Sequence, residues 1–521
     1  MISQPNKLIR NATIYDGTGN TPFKGDVMIS GERISVIGPG LNCEDCEIID
    51  AGGLALAPGF IDCHAHSDIS ILAAPEAAGK ISQGVTTEIN GNCGLSAFPV
   101  TTENREHLGE LYRNYGIKID WTSFPEYVSQ VSAVRPSINP IYLTGHNTLR
   151  AAVRGYKEGK ADRTKIAAMS ELLDKCLKAG AAGLSLGLLY TPGCFAGKDE
   201  ITALMQVVGN HNKICTVHLR SEGNELVEAL NETVEMAFEA DLKKLHISHL
   251  KTGGQENWHK LPQAMSIISR PPAGMRITFD RYPYTESMTS LSVLIPPPYD
   301  KFNDVTLQKK MSEELDFYNQ VVDALKQLPD ERWTRVRLVS SKADQYTGLL
   351  GLQISESAKS NGVKPAELCA KILRDDATGA MAAFKGMNED NMRSIIRDPR
   401  GCCGSDETAR PFSYELGRSH PRGFGSFPRY FNILKESMAL EHIIRKVTSL
   451  PAGIFGIKDR GMIRPGYFAD LVLFDPGNYM DYADFKAPHS PAKGVHKVMV
   501  NGTMCYEDGS ITGRNGQVIL V

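Results

Sequence analysis

The chain has 521 residues and a net charge of -3, so no basic excess is available to hold phosphates and nucleic acid is not an expected partner. No apolar run approaches the roughly 20 residues that cross a bilayer, and the start Met-Ile-Ser-Gln-Pro-Asn-Lys lacks the apolar core of a signal peptide. No membrane partner is expected, and the chain reads as soluble and cytoplasmic. Eleven scattered cysteines in a chain of this size imply reduced thiols, and the C-x-x-C pair Cys43 and Cys46 has no second pair to complete a metal site.

The first fifty-odd residues alternate short β-type runs with turns, at Lys7 to Tyr15, Asp26 to Ser30, Arg33 to Ile37 and Cys46 to Ile49. The last sixty do the same, at Ala469 to Phe474, at Lys497 to Val500 before the hairpin signal Asn501-Gly502, and at Gln517 to Val521. Neither end has enough apolar surface for a core alone. The economical expectation is one small discontinuous β-sandwich built from residues 1–57 and 458–521.

From Pro58 to Ile457 the pattern changes to short apolar strands alternating with helical stretches such as Ile166 to Ala179 and Glu225 to Glu239. Strand candidates fall at Ile61 to His66, Val85 to Gly91, Pro140 to Gly145, Gly183 to Gly187, Ile214 to Leu219, Leu245 to His249, Ile277 to Tyr282 and Gly401 to Asp406. Eight such units close a barrel. The expected fold class is therefore α/β, a (β/α)8 barrel of the TIM type over 58–457. One interval breaks its rhythm: residues 285–400 run far longer than a strand-to-helix loop needs, with Pro296-Pro297-Pro298 and a β-type run at Val336 to Ser340. It is an expected insertion and a candidate lid.

Reactive residues collect at the carboxyl ends of these strands, where such barrels carry their active sites. His64 and His66, two apart, project from one face of the first strand; His218 closes the fifth, His249 the sixth and Asp406 the eighth. Any one histidine alone would be a hydrogen-bonded structural residue, but four histidines and an aspartate on one rim supply the nitrogen and oxygen ligands zinc prefers. Cys93, after the second strand in Gly-Asn-Cys-Gly, could ligate or bridge as a thiolate, and Glu88 is a rival bridge. The fourth strand, with Ser185-Leu186-Gly187, offers no lysine for a carbamylated bridge. His146 suits shaping better than ligation, His246 has the wrong parity to join His249, and His211, His259 and His442 read as surface residues.

These motifs resemble the amidohydrolase superfamily and, within it, the N-acyl-D-amino-acid deacylases, also called D-aminoacylases. The runs that carry the resemblance are Pro-Gly-Phe-Ile-Asp-Cys-His-Ala-His-Ser-Asp at 58–68, Gly-Val-Thr-Thr-Glu at 84–88, Gly-Asn-Cys-Gly at 91–94 and Gly-His-Asn-Thr-Leu-Arg at 145–150. They continue with Gly-Leu-Ser-Leu-Gly-Leu-Leu-Tyr-Thr-Pro-Gly at 183–193, Ile-Ser-His-Leu-Lys at 247–251, Tyr-Pro-Tyr at 282–284, and His-Pro-Arg at 420–422 with Phe-Pro-Arg at 427–429. The resemblance covers nearly the whole chain outside the insertion. It implies a tight zinc on Cys93, His218 and His249, and a second, weaker divalent metal position bordered by His64, His66 and Asp406. It also implies that Lys251, Tyr282 and Arg422 recognise the substrate carboxylate.

The activity so implied is zinc-dependent hydrolysis of an N-acyl-D-amino acid, a small-molecule substrate, to a carboxylate and a free D-amino acid. Asp406 is its general base and then general acid. A related reaction on a cyclic amide or a D-residue-containing dipeptide is the alternative, and a non-catalytic scaffold the remote one. Ser-Asp-Glu at 405–407 departs from the Ser-Asp-Gly of many relatives, and both the spacer to His420 and the insertion differ from the usual pattern. The side-chain and acyl preference therefore stays open, as does oligomeric state.

Overall fold

The computed structural model describes residues 6–521 as a mixed α/β fold. Strands β1 (Asn6–Ile14), β2 (Phe23–Ser30), β3 (Arg33–Gly38), β4 (Cys46–Asp50) and β5 (Ala55–Pro58) form the amino-terminal part of one hydrogen-bonded sheet. Strand β1 is shared along its edge: residues 6–10 pair in parallel with β4, and Thr13 and Ile14 with β5. Its alternation slips between Ile9 and Ala12, where Asn11 turns to a φ of 58° and its N–H meets Asp26 Oδ1 at 3.0 Å.

The connecting strands follow as β6 (Phe60–Asp62), β7 (Val85–Asn90), β8 (Asn139–Tyr142), β9 (Thr144–Gly145), β10 (Gly183–Gly187), β11 (Ile214–His218), β12 (Lys244–Ile247) and β13 (Arg276–Arg281). All of their neighbour pairings are parallel. Strands β7, β8, β10 and β11 are buried along their whole length, as parallel strands covered on both faces are. Next come β14 (Glu286–Ser290), β15 (Val336–Ser340), β16 (Met381–Lys385) and β17 (Gly401–Cys403), and then β18 (Leu471–Phe474), β19 (Val495–Val500), β20 (Thr503–Glu507) and β21 (Ser510–Ile511).

Strand β17 pairs in parallel with β13 on one side. On the other, Cys63 N–H donates to Cys403 O at 3.2 Å, Asp406 N–H donates to His64 O at 2.7 Å, and Ala65 pairs in parallel with Glu407. Between β8 and β9, Leu143 N–H donates to Asn90 O at the end of β7. The eight strand segments expected between Pro58 and Ile457 all carry strands, the third of them as the two pieces β8 and β9.

The two chain ends meet where β18 runs antiparallel to β5, Leu471 opposite Pro58 and Phe474 opposite Ala55. Ile9, Ile14, Ile29, Leu56, Leu471 and Met499 share one apolar core there. The Asn501-Gly502 turn joins β19 and β20, both residues at positive φ (47° and 74°) as a type I′ hairpin requires. Residues 517–521, expected as a strand, are none: they form an extended tail whose N–H groups reach Asn139, Pro140 and Gly180 on the main body. A tail that pairs with turns and strand ends has no continuous edge on which to build a ladder.

Strands β14, β16 and β15 form a separate antiparallel sheet. With helices such as Pro365–Asp376 they enclose an apolar core of their own, including Leu291, Phe317, Trp333, Leu338 and Leu373. The helix Glu389–Arg397, inside the expected insertion, packs instead on β13, β17 and the helix Arg422–Lys435. Its buried Met392, Ile395 and Ile396 make it the crossover between two parallel strands. Cys43 and Cys46, expected as free thiols, are joined by a disulfide, their Cα atoms 5.7 Å apart. No helix among the described residues is long and apolar enough to cross a membrane.

Candidate metal centre

Cys93 is the common point of the site. It follows β7 at a φ of 52°, in a loop that needs two glycines: a Cβ on Gly91 would lie 2.2 Å from Leu143 O, and one on Gly187 of β10 would lie 1.9 Å from the carbonyl oxygen of Cys93 itself. The thiol sulfur sits 3.4 Å from His64 Nε2 and 3.3 Å from His249 Nε2. Burial pushes the thiol pKa up, but His249 and His64 outweigh it and hold the group well below the ordinary thiol range, as a thiolate.

Two sets of ligand atoms share this sulfur, each set within 4.8 Å: His64, His66, Cys93 and Asp406, and Cys93, His218 and His249. All six expected metal residues are thereby brought together. Asp406 Oδ1 lies 3.1 Å from His66 Nε2 and 3.5 Å from His64 Nε2, while its Oδ2 accepts from Arg422 Nη1 at 2.7 Å. Burial lowers the pKa of His66, yet Asp406 and Cys93 raise it to about 9. Negative potential therefore gathers where the two sets meet. Cys93, His249 and Asp406 all hold positive φ without being glycine (52°, 35° and 55°), backbone conformations that the surrounding fold must impose.

His218, at the end of β11, is buried with no hydrogen-bond partner on either ring nitrogen. Its nearest acid, Glu222 Oε2, is 3.7 Å from Nε2. Such orphaned nitrogens cost stability unless something else takes a lone pair. With a thiolate and a second histidine beside them, the donor set fits zinc.

Lys251, Tyr282 and Arg422 stand around this centre, and the two cations are already engaged. Lys251 Nζ bonds Glu222 Oε1 and lies 2.8 Å from His249 Nδ1, and Arg422 bonds Asp406. The Tyr282 ring has Arg281 Cζ 4.2 Å and Arg422 Cζ 4.9 Å from its centroid, and its buried hydroxyl has no partner.

Glu88, the expected rival bridge, belongs to neither set: Ser67 Oγ donates to it at 2.9 Å, Asn90 Nδ2 at 3.1 Å, and Lys80 Nζ lies 3.4 Å away. Lys80 is fully buried and also donates to Asp62 and Ser405, 2.7 Å each, so this ammonium fastens the first strand to the segment after β17. His146 pairs with Glu200 at 2.8 Å, a shaping contact.

Two residues were not anticipated. Asp280 of β13 takes His64 Nδ1 at 3.1 Å, His246 Nε2 at 3.0 Å and the His249 N–H at 3.0 Å. Burial raises its carboxyl pKa, but the two histidines hold it well below the usual range. An acid directly after Ile277-Thr278-Phe279, still within a buried strand, was the available signal. Glu222 lies four residues beyond His218, in the loop after β11, and returns to 3.7 Å from its Nε2.

The sequence profile of the Amidohydrolase family matches residues 47–284 and 313–506. The chain belongs to the amidohydrolase family. The N-acyl-D-aspartate deacylase of Alcaligenes xylosoxydans xylosoxydans is 33% identical to this amidohydrolase over 99% of the chain and 95% of its own length. The D-aminoacylase of the same organism is 30% identical over 99% and 98%. Within the family the chain therefore stands with the N-acyl-D-amino-acid deacylases. Among solved structures, the N-acyl-D-glutamate deacylase of Bordetella bronchiseptica, with zinc and a phosphonate inhibitor, superposes with a TM-score of 0.83 at 29% identity, covering 99% of this chain and all of that one. A D-aminoacylase with a binuclear metal centre, described by one-metal activation and second-metal attenuation, gives 0.81 at 30% over 99% of each chain.

Proposed function

We propose that this protein hydrolyses N-acyl-D-amino acids to a carboxylate and a free D-amino acid in a zinc-dependent reaction. The observation that carries the proposal is the convergence of both ligand sets on the Cys93 thiolate, in a chain whose near-full-length relatives are deacylases of this class. Cys93, His218 and His249 would hold the tight zinc; His64, His66 and Asp406, with the same sulfur, would border a weaker second position. Bound there, zinc supplies a water of pKa near roughly 7 and polarises the amide carbonyl.

The remaining chemistry belongs to the chain. Asp406, at 8% exposure, is reached by little bulk water and takes the proton from the attacking water, then returns it to the leaving nitrogen. Arg422 and Lys251 receive the substrate carboxylate, a guanidinium fork and an ammonium on one anion. Each exchanges a protein carboxylate for the substrate's, so Arg422 releases Asp406 Oδ2 as substrate arrives. The unpartnered Tyr282 hydroxyl is the neutral donor of the set.

The architecture in this reading is an eight-stranded barrel over 58–457, with β8 and β9 as one strand. Its support is the parallel order of the strands and the hydrogen bonds that join β17 to the residues after β6. The terminal sheet is read as a sandwich of 1–57 and 458–521, and the unit around β14–β16, entered directly from Tyr282, as a lid.

The test is a substrate panel on purified zinc-loaded protein: N-acetyl-D-amino acids, their L-enantiomers, D-dipeptides and dihydropyrimidines. Turnover of the N-acetyl-D-amino acids alone is expected. Turnover only of a cyclic amide would replace this reading with the cyclic-amide one.

A further inference from the structure

Glu222 joins the two halves of the site. One of its oxygens, Oε1, lies 3.0 Å from His249 Nδ1 and accepts from Lys251 Nζ, while His249 Nε2 faces Cys93 at 3.3 Å on the other side of the ring. The carboxylate is held in place by its own backbone, whose carbonyl accepts the Gly253 N–H at 2.7 Å. Lys251 Nζ also lies 2.8 Å from His249 Nδ1.

For Nε2 to give its lone pair to a metal, Nδ1 must hold the ring's proton, and Glu222 Oε1 at 3.0 Å is the acceptor that fixes it there.

We infer that Glu222 is a positioning residue that holds His249 through Nδ1, so that Nε2 is left to face the metal position beside Cys93. The inference rests on the zinc-deacylase reading above.

The test compares E222Q and K251A with the wild type by zinc competition against a chromophoric chelator and by steady-state kinetics on an N-acetyl-D-amino acid at saturating zinc. E222Q keeps the size of the side chain and loses its charge; its zinc affinity should fall about 10- to 100-fold, with no rise in KM. K251A should raise KM about tenfold or more and leave zinc affinity unweakened. E222D, which restores the charge on a shorter stem, should recover part of the zinc affinity, and it decides the matter by the same criterion if circular dichroism shows E222Q unfolded. Zinc affinity of E222Q, or of E222D where E222Q is unfolded, within about threefold of wild type, well short of the loss that removing an orienting partner brings, would overturn the inference, as would K251A weakening zinc as much as E222Q. A wild type that neither binds zinc nor turns over substrate would instead remove the functional reading itself.

Discussion

At the scale of single residues the proposed reaction divides the centre into groups that would touch the reacting atoms and groups that would aim them. Asp406 belongs to the first class in that reading, poised between two histidines and Arg422. Asp406→Asn should lower kcat by about 100- to 10,000-fold, the worth of a general base, while metal analysis still finds zinc on the protein. Wild-type turnover in that variant would remove the assigned role. Cys93→Ala has the opposite signature, loss of zinc itself, because both ligand sets lose their shared sulfur. The residues of the two clusters were legible in the sequence as candidate ligands because each ends or follows a strand and is of a type that binds metal. Asp280 and Glu222 were not, since a carboxylate acting through a histidine carries no mark beyond its place in the fold. Glu88 misled for the converse reason: its neighbour Asn90 and the buried Lys80 claim it, and neither contact can be read from spacing.

At the scale of elements, strand positions were readable because apolar runs bounded by turn residues leave few registers, and β10 and β15 fall on their expected bounds. The insertion was visible as a break in rhythm, but its carboxyl limit was not. The helix Glu389–Arg397 has the composition of the insertion and the packing of the main body. The family profile is interrupted at the insertion's start, between residues 284 and 313. With a core of its own, this unit is expected to open separately from the parallel strands. Leu338→Ala, at a fully buried position of β15, should cost about 2–5 kcal/mol there. Limited proteolysis with mapped fragments should then find new cuts between 286 and 385 while zinc content is unchanged, since no expected ligand lies in that range. Cuts first appearing in the parallel strands would show that the two cores melt as one.

At the scale of the whole molecule, distant segments are tied together beside the site, and one tie is pH-sensitive. His489, on the connection between β18 and β19, lies against the stretch that follows Asp406: its Nδ1–H donates to Ser413 O at 2.8 Å and its Nε2 is 3.2 Å from the Ser419 hydroxyl. Its ring stacks on Phe424 at 4.9 Å between centroids. Burial depresses its pKa to about 4, so the folded protein keeps it neutral while the unfolded chain takes up a proton near an ordinary pKa of about 6.5. Below that value the unfolded state binds the additional proton, and stability drains away as pH falls from 6.5 toward 4, levelling once the folded form is protonated too. His107, whose pKa burial also lowers to about 4, adds a contribution of the same sign. Acid also strips metal from histidine and thiolate ligands, so the measurement belongs on chelator-treated protein, with thermal unfolding followed at pH 7, 6 and 5. Wild type should lose Tm over that range, and His489→Gln, which cannot titrate, should lose measurably less. Parallel slopes in the two proteins would show that His489 does not carry the dependence.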